Sequence, residues 1–334
     1  MKKESLKQKF KRFLNDISNN IDLNATWWKK LKIFLDFLWE RYRYNTELID
    51  YIQYRFYYKK RQEREQFITH GKLVKIIKIC NDPEGRNIFD QKPLFNKYFK
   101  SYLGRQWIDM SNTNKEKAKE FVFSQKNLFA KCPNGMFGKG IELIKTCEIE
   151  DYDEFYKKGL EKKLLFEEVL TQHPELAAFN NTSINSLRIV TLVCADDSVK
   201  IMAAVLRLGR KGKIADNFHH YGIAALIDID TGIVYTVGVD REWKRYVKHP
   251  DSGKAIVGFT IPNWYEIIKV VEQAAKVVPE VRYVGWDVTI KNDGSIVLIE
   301  GNPGADPDVT QIEDQIGKWP LYEPLLKKIK ELHI

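Results

Sequence analysis

The chain has 334 residues, of which 44% are hydrophobic and 30% charged, with a formal charge of +9. This allows one large or two modest domains around a sizeable core, and the balance excludes a disordered or fibrous class. Cys80, Cys132, Cys147 and Cys194 show no short paired spacing, which argues against a disulfide scaffold or a zinc site. With no signal peptide and no apolar run of about 18 residues, the expectation is a cytoplasmic protein, neither secreted nor membrane-spanning.

Residues 1–64 carry 16 Lys and Arg against 8 Asp and Glu, a net of +8, so nearly all the excess charge lies there. Phe10, Phe13 and Leu14, then Leu31, Phe34, Leu35, Leu38 and Tyr42, recur at helical spacing. Thr26 is placed to cap the second helix. Trp27, Trp28, Trp39 and several tyrosines interleave with the basic residues. The favoured reading is helices whose aromatics pack inward while Lys and Arg face water. Peripheral contact with the inner face of a membrane is the second reading, and a nucleic-acid surface is disfavoured. Thr69-His70-Gly71 is read as the end of this region, and Asn81–Asn87, with Pro83 and Gly85, as a linker or hinge.

Lys97 follows on an ordinary helix face. Asn127–Cys132 reads as a strand carrying Lys131. A turn with Pro133, Gly135, Gly138, Lys139 and Gly140 comes next, and then an apolar run from Ile141. Glycines let backbone N–H groups approach an anion, and the lysines add charge. Gly140 after Gly138-Lys139 rules out a Walker loop, and an ordinary hairpin turn is the competing reading. Lys163–Leu170 reads as a strand ending in Glu167-Glu168-Val169-Leu170. Ser183–Val193, carrying Arg188, and Val199–Leu208, ending at Arg207, read as further strands. Asp216, Asn217, His219 and His220 form a polar cluster. With no further ligand at metal spacing, it is not favoured as a metal site. His249 lies in the loop His249-Pro250-Asp251-Ser252-Gly253. An amphipathic helix over 264–277, a hairpin and a closing helix over 319–329 complete the chain.

The hairpin concentrates the chemistry. Tyr283–Ile290 and Ser295–Ile299 flank Asn292-Asp293-Gly294, and Asp-Gly between such runs signals a tight turn. A two-residue loop at Asp293-Gly294 sets Asn292 opposite Ser295 and Asp287 opposite Glu300, with Asn302 on the same face. Two opposed carboxylates destabilise a sheet unless a cation lies between them. Two carboxylates and an amide oxygen are hard ligands suited to magnesium. A solvated polar face is the alternative.

Lys131 with the glycine loop, the strand ending at Glu167–Leu170, and Asp287, Glu300 and Asn302, in that order, resemble the ATP-grasp superfamily. The stretches QHPELAAFNNTSINSLRIVTL, ADNFHHYGIAA, HPDSG and GWDV…IEGNPG resemble its sugar-transfer-associated members. The resemblance runs from about Pro93 onward. Ser186 stands where threonine is the family's residue, and Ala305–Asp308 is more acidic than expected. What the resemblance implies is an α+β fold in which two α+β subdomains sandwich ATP. The helical region would occupy 1–90 and the ATP-grasp domain 91–334, with a lid subdomain at about 120–172 and a core subdomain at about 180–334. Lys97 and Lys131 would contact phosphates under the loop of Gly135, Gly138, Lys139 and Gly140. Adenine would meet the backbone at Glu167, Glu168, Val169 and Leu170, and Asp287, Glu300 and Asn302 would hold Mg²⁺. Arg188 and Lys131 would be catalytic, and Arg188, Arg207, Asn217 and His249 would face substrate. The implied activity is a carboxylate–amine ligase acting through an acyl phosphate on a glycan precursor. A sugar kinase and a non-enzymatic basic surface protein stay open beside it.

Overall fold

A computed structural model describes residues 26–133, 141–213, 216, 218 and 222–332. They fall into two compact units, one within Met1–Ile79 and Asp306–Ile334 and the other Cys80–Ala305. The C-terminal helix is Trp319–Glu331. That helix belongs to the same unit as the N-terminal helices.

The first unit is helical. Thr26 caps Trp27–Tyr44 by accepting from the Lys29 amide, as its sequence position predicts. Tyr51, Tyr54, Phe56 and Phe67 are buried together, with ring centroids 4.9 to 6.1 Å apart. Burying phenols requires partners: Tyr51 donates to Asp36 at 2.5 Å, and Gln311 serves Tyr54. Its amide nitrogen donates to the Tyr54 hydroxyl and the Ile68 carbonyl, both at 3.1 Å, and its oxygen accepts from the Ile68 amide at 2.8 Å. Thr69-His70-Gly71 does not close the region. A helix, His70–Cys80, starts there, and Gly71 lies where a Cβ would meet the Tyr44 carbonyl at 2.9 Å. Its glycine serves close packing.

The second unit holds two antiparallel sheets. Its first segment corrects the expected linker: Asn81–Asn87 runs into a helix, Pro83–Asp90. Asp82 accepts from the amides of Glu84 and Gly85, and Pro83 takes the first helical position, where its missing N–H costs nothing. Gly85 is there because a Cβ would meet Val281 at 2.9 Å.

The smaller sheet comprises β1 (Trp107–Asp109), β2 (Asn127–Lys131), β3 (Ile141–Lys145) and β4 (Leu165–Glu168), in the order β1-β4-β2-β3. Along β2 the alternate residues Leu128 and Ala130 are buried with Phe166, Ala118 and Val122, which leaves Lys131 on the other face. The larger sheet has β5 (Ser186–Val193), β6 (Val199–Leu208), β7 (Ile223–Leu226), β8 (Gly238–Val239), β9 (Arg245–Tyr246), β10 (Tyr283–Ile290) and β11 (Ile296–Asn302), in the order β11-β10-β5-β6-β7-β8-β9. Every residue of β10 is buried. The helix Trp264–Ala274 packs on this sheet through Ile267, Val271 and Ala274, and Phe89, Phe95 and Phe99 cluster on Trp286.

The β10–β11 hairpin keeps Asp287 opposite Glu300, but by a different route from the one expected. The turn has three residues. Gly294, at φ +84°, donates to Lys291, and the Lys291 amide donates to Ser295. Asn292 therefore does not pair with Ser295; its amide donates to Thr171. This shifts the ladder by one, with Ile290 opposite Ile296 and Val288 opposite Leu298. A bulge at Ile299 then restores Asp287 opposite Glu300. An extra residue in a strand re-aims its neighbours, and here it returns Glu300 to the face of Asp287.

Candidate active site

The site is built where β10, β5 and β6 lie side by side. Arg188 of β5 is the ladder partner of Asp287, so its side chain starts on the same face. Its Nε donates to Asp287 Oδ1 at 2.5 Å and its Nη2 to Oδ2 at 3.1 Å. Gly285 makes room for this fork. A Cβ there would stand 2.4 Å from that of Ala305 and 3.1 Å from the Arg188 guanidinium. Arg207 of β6 adds a bond to Asp287 Oδ2 at 2.8 Å and another to Asp216 at 3.3 Å. Asp216 in turn accepts from the amide and hydroxyl of Ser186 at 2.7 and 2.5 Å.

These contacts fix the charge states. Burial opposes ionisation of Asp287, but the two guanidiniums outweigh it and hold its carboxyl below the usual range. Glu300 moves the other way, raised first by its enclosure and then by the Asp287 charge beside it. Its side chain is enclosed by protein yet open to solvent, as suits a concave position that a small ligand can enter. Asn302 lies opposite Gly285, and its side-chain oxygen accepts from the Gly304 amide at 2.8 Å. The same oxygen keeps a second lone pair. Among the described residues no group of three His, Cys, Asp or Glu is arranged to hold a metal. Two facing carboxylates and an oriented amide oxygen nonetheless fit a hard divalent cation, which would remove the repulsion that now raises Glu300.

A second cluster connects the two sheets. Glu167 of β4 is buried and accepts from Lys131 Nζ at 2.6 Å, Arg105 Nε at 2.8 Å and Asn96 at 3.0 Å. Burial would raise its carboxyl, but Arg105 and Lys131 prevail and hold it well below the usual range. Arg105 also donates to the carbonyls of Leu298 and Ile299 at 2.7 and 3.1 Å. β11 is an edge strand and Ile299 is its bulge. Those carbonyls need an outside donor, and the guanidinium fork reaches both.

The expected residues are placed as follows. Lys131 lies with Glu167, and Arg188 and Arg207 lie on Asp287. Lys97 is exposed. The lysine of that helix that stands among the acids is Lys92, where burial lowers its pKa, Glu300 raises it and Lys131 lowers it. The Glu168 amide and carboxylate are taken up by Gln106, at 2.9 and 3.0 Å. Val169 and Leu170 follow β4 and are half-buried. His249 is buried, and its ring nitrogens meet the Gly209 carbonyl at 3.0 Å and the Ser252 hydroxyl at 3.2 Å. The first contact ties the ring to the segment just past β6 and the second to its own loop, and the Arg210–Asp251 ion pair joins the same two segments. Gly135, Gly138, Lys139, Gly140, Asn217, His219 and His220 lie outside the described residues. Sequence reasoning missed Lys92, Asn96 and Arg105. Gly104, at φ +53° and tight against Val297, brings Arg105 onto β11.

The family pattern that the chain matches is that of an ATP-grasp enzyme. The chain belongs to the sugar-transfer associated ATP-grasp family, whose pattern it matches over residues 76–327. No curated protein matches the sequence. Among solved structures it is similar to the ATP-grasp ligase PsnB complexed with minimal precursor, at 14% identity over 77% of this chain and 69% of that one, with a TM-score of 0.47. It is also similar to PsnB with a phosphomimetic precursor variant, Mg and ADP, at 15% identity over 80% and 69%, with a TM-score of 0.46. A third is N5-carboxyaminoimidazole ribonucleotide synthetase from Thermotoga maritima, at 11% identity over 70% and 49%, with a TM-score of 0.40.

Proposed function

We propose that this enzyme is an ATP- and Mg²⁺-dependent carboxylate–amine ligase that works through an acyl phosphate. Its substrate is a carboxylate-bearing sugar or glycan precursor, as in surface-polysaccharide assembly. The observation that carries the reading is the Asp287–Glu300 pair with the Arg188 fork laid across it. Asp287, Glu300 and Asn302 would hold magnesium, which supplies charge neutralisation at the phosphates. Lys92 and Lys131 supply positive charge for the phosphates. The backbone of Val169 and Leu170, just past β4, is offered to the adenine edge.

The substrate carboxylate oxygen attacks the γ-phosphorus, and the bond to ADP breaks. The amine nitrogen then attacks the acyl carbon, phosphate leaves, and the nitrogen loses a proton. Arg188 neutralises the acyl phosphate and the oxyanion of the second step. No side-chain nucleophile is required. Arg207 stays with Asp287 and Asp216 and keeps the aspartate ionised.

Hydroxylamine trapping tests this. With ATP, Mg²⁺ and uronic-acid glycan precursors, the enzyme should release ADP and yield a hydroxamate. ADP together with a stable phosphosugar, and no hydroxamate from any carboxylate, would replace the ligase with a sugar kinase.

A further inference from the structure

The first helix carries a surface that the chemistry above does not use. Trp27–Tyr44 is 18 residues long, about 27 Å at the helical rise. Trp28, Leu35, Trp39 and Tyr42 are 73%, 56%, 60% and 86% exposed. At 3.6 residues per turn these four fall within an arc of about 60°, with exposed Leu38 beside it. Ile33, Phe37 and Glu40 lie on the opposite side; Ile33 and Glu40 are buried, and the Phe37 ring packs edge-on against Tyr51. The helix therefore packs through one face and turns a row of large apolar groups to water.

The charges are sorted as well. Lys32 and Arg43 border the stripe, and exposed Lys29 lies further round on the same side. Both acids of the helix are paired with Arg64, Asp36 at 2.8 Å and Glu40 at 3.0 Å; Glu40 is buried and Asp36 is 34% exposed. An apolar stripe ending in tryptophan and tyrosine and edged by cations is the pattern of a helix lying in a bilayer interface. A protein partner would need only the apolar row, whereas a cationic border whose neighbouring acid, Asp36, is neutralised by Arg64 complements an anionic surface. Among the described residues no helix is long and apolar enough to cross a membrane.

We infer that Trp27–Tyr44 is a membrane-surface anchor that lies flat on an anionic lipid bilayer, with Trp28, Leu35, Trp39 and Tyr42 in the interface. This goes beyond the ligase reading and does not depend on it. The experiment is flotation of the full-length protein with phosphatidylcholine vesicles, with and without phosphatidylglycerol, at low and high salt. Three chains are compared: the unaltered protein, a triple variant Trp28→Ser/Leu35→Ser/Trp39→Ser, and a charge variant Lys29→Gln/Lys32→Gln/Arg43→Gln. All six positions are exposed, so both variants should melt as the unaltered protein does. The unaltered protein should float with anionic vesicles and be released by salt. The triple variant should partition at least about tenfold less, and the charge variant should lose the preference for phosphatidylglycerol. Failure of the unaltered protein to float overturns the inference, as does equal flotation of the triple variant. A dimer that the triple variant alone dissociates would assign the stripe to a second copy of the chain instead.

Discussion

Glu167→Gln tests the cluster that connects the two sheets. The substitution keeps the side-chain volume and one oxygen acceptor, but removes the charge that faces Lys131 at 2.6 Å and Arg105 at 2.8 Å. Both members of the Arg105–Glu167 pair are only 3% exposed. Removing one partner of a buried pair typically costs 3–5 kcal/mol, because the remaining charge is stranded. Gln can still accept from Asn96, so the lower end, ~3 kcal/mol near neutral pH, is expected. Because the folded-state carboxyl of Glu167 sits well below its ordinary value of 4.5, its contribution is complete above that value and is lost as pH falls from there toward the depressed folded-state pKa. The gap between the two proteins should therefore begin to close below about pH 4.5 and go on closing into strong acid, by up to ~1.4 kcal/mol per pH unit. Urea unfolding at a series of pH values measures this directly. A gap under ~1 kcal/mol at neutral pH, or one that persists unchanged into acid, would refute the buried ion cluster.

Arg105→Lys keeps the charge but cannot reach Glu167 and two carbonyls at once; it should cost ~2 kcal/mol in urea unfolding, and an unchanged midpoint would show that the fork is dispensable. Gly285→Ala should push aside Arg188 or Ala305, since a Cβ there stands 2.4 Å from Ala305, and turnover should fall while cooperative unfolding persists; full turnover would count against the tight fit. Arg188→Ala should raise the barrier by about 2.7–4 kcal/mol in kcat while leaving ATP affinity within a few-fold; an effect confined to ATP affinity would remove Arg188 from the reacting end.

Much of the site was legible because it is local. Asp287, Glu300 and Asn302 sit on one hairpin, and Arg188 is the cross-strand neighbour of Asp287. Even so, the turn was read one residue too short, and only the bulge at Ile299 compensated. A bulge has no residue signature to separate it from a regular strand, so that agreement was not earned by the turn geometry. Arg105 and Lys92 stayed hidden for the opposite reason. Arg105 is 62 residues from Glu167 and 193 from Leu298, and nothing local marks such pairings. Asn81–Asn87 was misread because Pro83 and Gly85 punctuate loops in general. Here the proline starts a helix behind its Asp82 cap, and the glycine answers a tight contact. His249 was legible as a loop residue but its contact with Gly209, 40 residues away, was not.

The central claim is that the Asp287–Glu300 pair takes a magnesium-bound nucleotide. Calorimetric titration with a non-hydrolysable ATP analogue tests it most directly, in Mg²⁺ and in EDTA, for the unaltered protein and for Glu300→Gln. The account predicts binding that chelation weakens at least about tenfold in the unaltered protein and hardly alters in the variant. Binding of equal strength in all four titrations, or equal sensitivity to EDTA in both proteins, would contradict it.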